Sequence, residues 1–463
     1  MRTETDSLGD VNVPENALYG AQTQRAIQNF PVSGRGLPQR FIVALLLVKR
    51  AAARSNQQLG LLERDVAQAI DDSVTDLLSR PDLMSHFPVD IYQTGSGTST
   101  NMNANEVLAH LASERLGQAI HPNDHINLGQ SSNDVIPTAL HVSAALMLRE
   151  ELLPALEDFV SVCETKADSL KATIKTGRTH LMDAMPVTMS DTVKAWASQM
   201  RANQERLLVI APALQAVVQG GTAVGTGVNT HVQFSGHFVA ALSHVTGFEF
   251  TVAEDRFAGM SAQDTVVALS GHLRTCAVSL IKIANDLRWM NSGPLAGLGE
   301  IGLEALQPGS SIMPGKVNPV IPESAAMAGT QVIGFDTAIA LAGQSGNFEL
   351  NVMLPLMAAN VLESMQLLTN SMRLLAHRAI ASFTVNESRL EEALSRNPIL
   401  ATALNPIVGY EKAAEIAKQA YAEGRPILDV ALDATDLSKA ELQALLDPVK
   451  LARPHDDEAG KTE

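Results

Sequence analysis

Between Val266 and Leu287 the apolar side chains Val266, Leu269, Leu273, Ala277, Leu280, Ala284 and Leu287 recur every three or four residues. That period keeps one face of an α-helix apolar over roughly six turns, and so long a stripe must be covered by other helices. The pattern returns four more times. One stretch runs from Val135 through Leu156 to Leu170, with Pro154 as the place for a break. Another runs from Pro186 to Val218, and Pro212 inside it predicts a kink. A fourth occupies Val320 to Ala342, and a fifth carries Leu354, Met357, Val361, Leu368, Met372 and Leu375. Five such helices predict a mainly α fold with a central bundle. Aromatic residues make up only 4% of the chain, so packing has to rest on small aliphatic side chains.

Around this bundle the character of the chain changes twice. Residues 1–133 read as a mixed, mostly helical domain of shorter stretches, with turn formers at Val13-Pro14, Ser33-Gly34 and Arg80-Pro81. Residues 134–385 hold the long helices. Residues 386–463 read as a small, more charged helical domain, punctuated by Asn405-Pro406 and Arg425-Pro426 and closing on a frayed tail, ARPHDDEAGKTE. The stripes exceed what five helices of one chain can cover, which points to oligomerisation.

The formal net charge of −16 over 463 residues excludes nucleic acid as a partner, since phosphates demand clusters of Lys and Arg. A site for an anion in so acidic a protein must carry its own local positive charge. Cys163 and Cys276 are too few for an iron–sulfur cluster or a zinc knuckle within one chain and read as buried thiols of a reducing compartment. The N-terminus lacks the layout of a secretory signal, and no uninterrupted apolar run approaches the ~20 residues of a membrane span. The expected location is cytoplasmic.

Four stretches crowd polar residues where a helical core would not hold them. Thr94-Gly-Ser96-Gly97-Thr98, followed by Ser99, Thr100 and Asn101, is a turn into a helix whose free N–H groups suit a carboxylate, although an ordinary capped turn reads the same way. His121-Pro122-Asn123-Asp124-His125 spaces two histidines for a metal, but Pro122 argues against a regular helix and no further ligands follow. Just beyond it, Ser131-Ser132-Asn133 supplies three N-cap residues where one would serve. His180, after a Thr176-Gly-Arg-Thr179 turn and ahead of a helix start at Pro186, is placed to carry a proton. Gly309-Ser310-Ser311-Ile-Met-Pro-Gly315-Lys316-Val317-Asn318-Pro is no P-loop, because five residues separate its glycines and Lys316 is not followed by Ser or Thr. Lys316 and Asn318, two apart in an extended segment, suit one carboxylate. Gly220–Gly227 lacks the flanking strands of a dinucleotide site.

GSSIMPGKVNP resembles the signature of the aspartase/fumarase superfamily. TGSGT, HPND, SSND, GRTHLMDAMP, GGTAVGTG, SGNFELNV and the N-terminal ALYGAQTQR resemble class II fumarase segments in the same order along nearly the whole chain. The resemblance implies a three-domain fold whose long helices form the shared core of a homotetramer, with active sites built from several subunits. It implies a tricarboxylic acid cycle hydro-lyase that interconverts fumarate and (S)-malate by anti addition through an aci-carboxylate, without metal or other cofactor. By the same resemblance Ser310 is the base, His180 handles the leaving hydroxyl, and Glu323 of another subunit tunes that histidine. Ser96, Gly97, Thr98, Ser131, Ser132, Asn133, Thr179, Ser311, Lys316, Val317 and Asn318 bind substrate. His121, Pro122, Asn123 and Asp124 correspond to a second dicarboxylate site, for which no arginine stands just ahead of His121 as it does in relatives. The nearest alternative is an aspartate ammonia-lyase on the same scaffold. Ser131-Ser132-Asn133, Gly315 and TGSGT favour hydration, while Val320–Glu323 has an aspartase-like look. A non-catalytic relative is disfavoured by the intact polar set.

Overall fold

The computed structural model describes residues 1–453, so the expected tail lies, from residue 454 on, outside the described residues. The chain opens with a hairpin, β1 (Arg2–Asp6) and β2 (Gly9–Val13). Helix α1 (Ala21–Asn29) has no side-chain cap of its own. Glu106 supplies one from a distance: its carboxylate accepts Gly20 N and Gln22 N at 2.9 Å each and Thr23 N at 3.1 Å. Helices α2 (Gln39–Gln58), α3 (Arg64–Ser79) and α4 (Thr98–Leu116) follow, longer than the short stretches expected of this region. Then α5 (Ser132–Met147) passes through a π-turn at Leu148–Leu152 into α6 (Leu153–Ser169). In place of the break expected near Pro154 there is this register slip, a widened turn that lets the proline ring sit within a continuous helical run.

Two strands, β3 (Ile174–Thr179) and β4 (Met182–Thr188), form a second hairpin. Here the structure corrects the sequence reading. Thr176–Thr179 is strand rather than turn, Pro186 pairs with Thr176 inside β4, and the helix begins only at Met189. A bulge between Thr176 and Arg178 accommodates the irregular pairing. Gly177 permits it, because a Cβ there would lie 2.5 Å from Met185 O. The remaining principal helices are α7 (Met189–Gln215), α8 (Phe234–Thr246), α9 (Arg256–Ser261), α10 (Asp264–Met290), α11 (Val320–Gly343) and α12 (Leu354–Leu375). The five long elements expected from periodicity are thus α5–α6, α7, α10, α11 and α12.

The chain packs as two compact units. The first comprises Met1–Pro154, Asn203–Val278 and Ala328–Asn370; the second comprises Ala155–Ala202, Ser279–Met327 and the chain from Ser371. Phe41, Leu45, Ile70, Val107, Val135 and Leu269 are buried in the first, and Phe159, Trp196, Leu280, Leu287 and Phe383 in the second. Every member of the stripe from Val266 to Leu287 is fully buried. A satellite core in the second unit, centred on Leu404, Ile416, Val430 and Leu442, holds the short C-terminal helices together. Both cysteines are buried, and loss of solvent pushes each thiol up to about 12.

By length and composition α10 and α11 could each cross a membrane, yet both carry polar groups of a packed core. Buried Asp336 accepts from Ser270 Oγ and Arg274 Nη1, each at 2.7 Å. Only 44% and 33% of their most apolar windows are buried within the chain. Val278, Met327 and Leu341 stand exposed along them.

The turn before α4 is held by close backbone approach. A Cβ on Gly95 would fall 1.7 Å from Val352 O, and one on Gly97, whose φ is +75°, would fall 2.9 Å from two carbons of Ile136. Gly95→Ala is therefore expected to lower stability by about 3 kcal/mol or more. An unchanged urea midpoint would show that Val352 does not pin this turn.

Candidate active site

Polar residues gather in each unit. In the first, α4 starts at Thr98 and α5 at Ser132, so two helix N-termini present unpaired N–H groups and positive dipole ends. Side chains tie them together: Asn101 Nδ2 donates to Ser132 Oγ at 3.0 Å and to Asn127 Oδ1 at 3.2 Å. Ser96 and Thr98 share a hydroxyl contact of 2.8 Å. This junction brings Ser96, Gly97, Thr98, Ser131, Ser132 and Asn133 onto two linked helix starts, an arrangement suited to an anion.

Asp134 organises the junction from beneath. Its Oδ1 accepts Ser131 N at 2.9 Å, completing a capping box in which Ser131 Oγ accepts Asn133 N at 3.2 Å. Its Oδ2 accepts Gly220 N and Thr222 N, both at 2.9 Å. Asn133 Nδ2 adds a bond of 2.8 Å to Ala223 O. The glycine-rich segment that failed as a dinucleotide loop is therefore a backbone ligand for Asp134. Gly220, at φ +95°, has Ser235 Oγ only 2.1 Å from where a Cβ would stand. Burial raises the Asp134 carboxyl above its ordinary value, while the three N–H donors and the Lys49 charge oppose that rise.

Lys49 was not singled out from the sequence. It ends the apolar run Phe41–Val48 and is fully buried, donating to Asn127 Oδ1 at 2.8 Å and Gln130 Oε1 at 3.1 Å. Burial pulls its ammonium down to about 7, with Asp134 opposing. A charged residue closing an apolar helical run was the only available signal.

In the second unit His180 and Leu181 form the whole two-residue connection of the β3–β4 hairpin, at φ +57° and +61°. Both signs match a type I′ turn, which favours Asn and Gly; a histidine and a leucine there are strained. His180 is exposed at the tip beside exposed Leu181 and Met182. The hairpin is anchored by an ion triad, with Lys175 and Glu300 buried and Arg178 half-buried, that sequence reasoning missed. Glu300 takes Lys175 Nζ on Oε2 and Arg178 Nη1 on Oε1, each at 2.7 Å. Burial lowers the Lys175 ammonium, and Glu300 resists that shift.

The same unit carries the loop before α11. Ser310 Oγ accepts Ile312 N at 3.2 Å and Met313 N at 3.0 Å. The loop is closed by Gly309 N to Lys316 O at 2.8 Å and Asn318 Nδ2 to Gly309 O at 2.8 Å. Asn318 thus spends one amide N–H on the loop itself. Lys316, Val317, Asn318 and Glu323 line one cleft of about 670 Å³ with Trp289 and Asn291. Ser310, Ser311, Thr179 and His180 are not among the residues lining it.

His121 caps a π-turn at Pro122–Ile126 in which Asn123 and Asp124 are exposed and Ile126 is buried. His121 Nδ1 accepts Asp124 N at 3.2 Å, and His125 Nδ1 accepts His121 N at 2.8 Å. Both Nδ1 atoms are thereby committed to the turn. His121, Pro122 and Asn123, but not Asp124, edge a separate polar cleft of about 760 Å³ that includes Arg2 and Glu106. Among the described residues no three His, Cys, Asp or Glu side chains are grouped to hold a metal ion.

Comparison with known proteins gives a consistent result. A lyase family model matches residues 9–334, and a fumarase C C-terminus model matches residues 400–453. A Pseudomonas aeruginosa protein named fumarate hydratase class II 2 is 63% identical, covering 97% of this chain and 98% of its own length. A fumarate hydratase class II of Xylella fastidiosa is 56% identical over 97% of this chain and 95% of its own. The crystal structure of class II fumarase from Schistosoma mansoni superposes with a TM-score of 0.94 at 35% identity, covering 98% of this chain and 99% of that one.

The Asp134 arrangement is open to a direct test. Asp134→Asn keeps the shape but turns an amide N–H₂ toward backbone donors, leaving at least one unpaired. The urea midpoint is expected to fall by the equivalent of about 2–3 kcal/mol, and an unchanged midpoint would mean the carboxylate does not bind these segments together.

Proposed function

The chain belongs to the class II fumarate hydratases, a family of hydro-lyases, and we propose that it adds water reversibly to fumarate to give (S)-malate with the residues of the two polar groups described above. The substrate is accordingly a small dicarboxylate. In the dehydrating direction Ser310 Oγ, as the alkoxide, takes a proton from the carbon beside one carboxylate. The electron pair spreads into that carboxylate as a dianionic aci form, held by Lys316 and by the Asn318 amide. The carbon–oxygen bond then breaks on the opposite face, and His180 delivers the proton that releases hydroxide as water. Glu323 of a neighbouring subunit orients His180. Thr98, Ser131, Ser132, Asn133, Thr179 and Ser311 hold the diacid, with Ser96, Gly97 and Val317 shaping its surroundings.

The observation that best supports this reading is the pair of backbone N–H bonds to Ser310 Oγ, at 3.2 and 3.0 Å. A free serine is far too weak a base, and donors aimed at its oxygen favour the alkoxide over the hydroxyl. The cleft shared by Lys316, Asn318 and Glu323 adds the positive charge that an acidic protein must supply locally. The half-bare faces of α10 and α11 support a homotetramer in which the long helices form a common core, with active sites shared between subunits. The division into an N-terminal domain 1–133, a bundle 134–385 and a C-terminal domain 386–463 belongs to the same reading. So do a cytoplasmic location, a tricarboxylic acid cycle role and a second dicarboxylate site at His121–Asp124.

The decisive assay follows the ultraviolet absorbance of the fumarate double bond with malate and then aspartate as substrate. Absorbance is expected to rise with malate alone, before and after chelation; a rise with aspartate alone would establish the ammonia-lyase instead. Ser310→Ala and His180→Asn are expected to cut turnover by roughly a hundredfold or more while leaving helical circular dichroism unchanged. Near-normal rates in both would remove these role assignments.

A further inference from the structure

We propose that Lys49 is a positioning residue for the substrate: through Asn127 and Asn101 it fixes the Ser132 hydroxyl, and its ammonium supplies the buried positive charge behind the carboxylate held at the α4 and α5 N-termini. This rests on the reading that Ser131–Asn133 binds one end of a dicarboxylate.

Among the described residues the two most deeply buried lysines are treated differently. Lys175 touches a carboxylate directly, Glu300 Oε2 at 2.7 Å. Lys49 touches none. Its two hydrogen bonds end on amide oxygens, Asn127 Oδ1 and Gln130 Oε1. Asp134, the charged group that acts on it, already accepts three backbone N–H bonds. An ammonium buried without a contacting counter-ion is costly, and an apolar side chain would continue the Phe41–Val48 run more cheaply. A packing role does not call for this group, whereas a carboxylate bound nearby would balance it.

The bonding path leads from that charge to the proposed binding surface. Asn127 Oδ1, which accepts from Lys49, also accepts from Asn101 Nδ2, and the same Nδ2 donates to Ser132 Oγ. The chain of contacts therefore runs from α2 to the first turns of α4 and α5 within the first unit. Asn101 Oδ1, on the same amide, is buried and accepts no hydrogen bond.

The test compares full-length wild type with Lys49→Met, Lys49→Arg and Asn127→Asp. Turnover of malate is measured alongside calorimetric binding of succinate, a dicarboxylate that cannot react. Lys49→Met is expected to raise KM and the succinate Kd together by about tenfold, with kcat within about threefold of wild type. Lys49→Arg is expected to regain most of the affinity. Asn127→Asp sets a carboxylate against the ammonium and is expected to weaken succinate similarly, which keeps the test available if Lys49→Met fails to fold. Wild-type KM and Kd in Lys49→Met or in Asn127→Asp would overturn the proposal, as would a fall in kcat at unchanged KM. Failure of the wild type to turn over malate would instead strike the proposed function, and the succinate comparison would still report on Lys49.

Discussion

One buried carboxylate sets much of the geometry of the first unit. Asp134 closes the cap of α5 through Ser131 and, with its other oxygen, gathers Gly220 and Thr222. Three backbone N–H donors converging on its two oxygens fix where each segment must run. Remove that convergence and the three polar residues at the α5 start lose their common orientation. Gly220 has no room for a side chain where its N–H meets Asp134, since a Cβ there would run into Ser235 Oγ.

The second unit achieves precision by a different route. His180 sits on a hairpin tip in a conformation that neither it nor Leu181 prefers. The strain persists because the strands beneath are over-determined, with Lys175 and Arg178 both bound to Glu300. The Ser310 loop, largely exposed from Ser311 to Val317, is held by bonds within itself, from Ser310 Oγ, from Gly309 N to Lys316 O and from the Asn318 amide.

The long helices were legible because a period of three to four residues survives in any sequence that must bury one stripe; α10 follows its predicted stripe residue by residue. The α5 cap was legible for the same local reason, since Ser131 and Asp134 stand at fixed spacing. The β3–β4 hairpin was not. Its turn lacks the Asn or Gly that announces one, and Pro186 imitated a helix start. Lys49 and Glu300 escaped notice because their partners lie far away in sequence, and pairing at that distance leaves no local mark. The motif loops could be assigned roles only through family resemblance, because a Gly-Ser-Ser or Lys-Val-Asn run alone admits several chemistries.

The placement of the two cysteines acquires a meaning once the substrate is considered. Fumarate is an electron-poor alkene, and thiolates add to such alkenes by conjugate addition, leaving a stable thioether. Cys163 and Cys276 are both inaccessible, and each thiol is pushed up to about 12, so almost none is ionised at neutral pH. Burial thus keeps both thiols out of reach of such an alkene and in the unreactive protonated form.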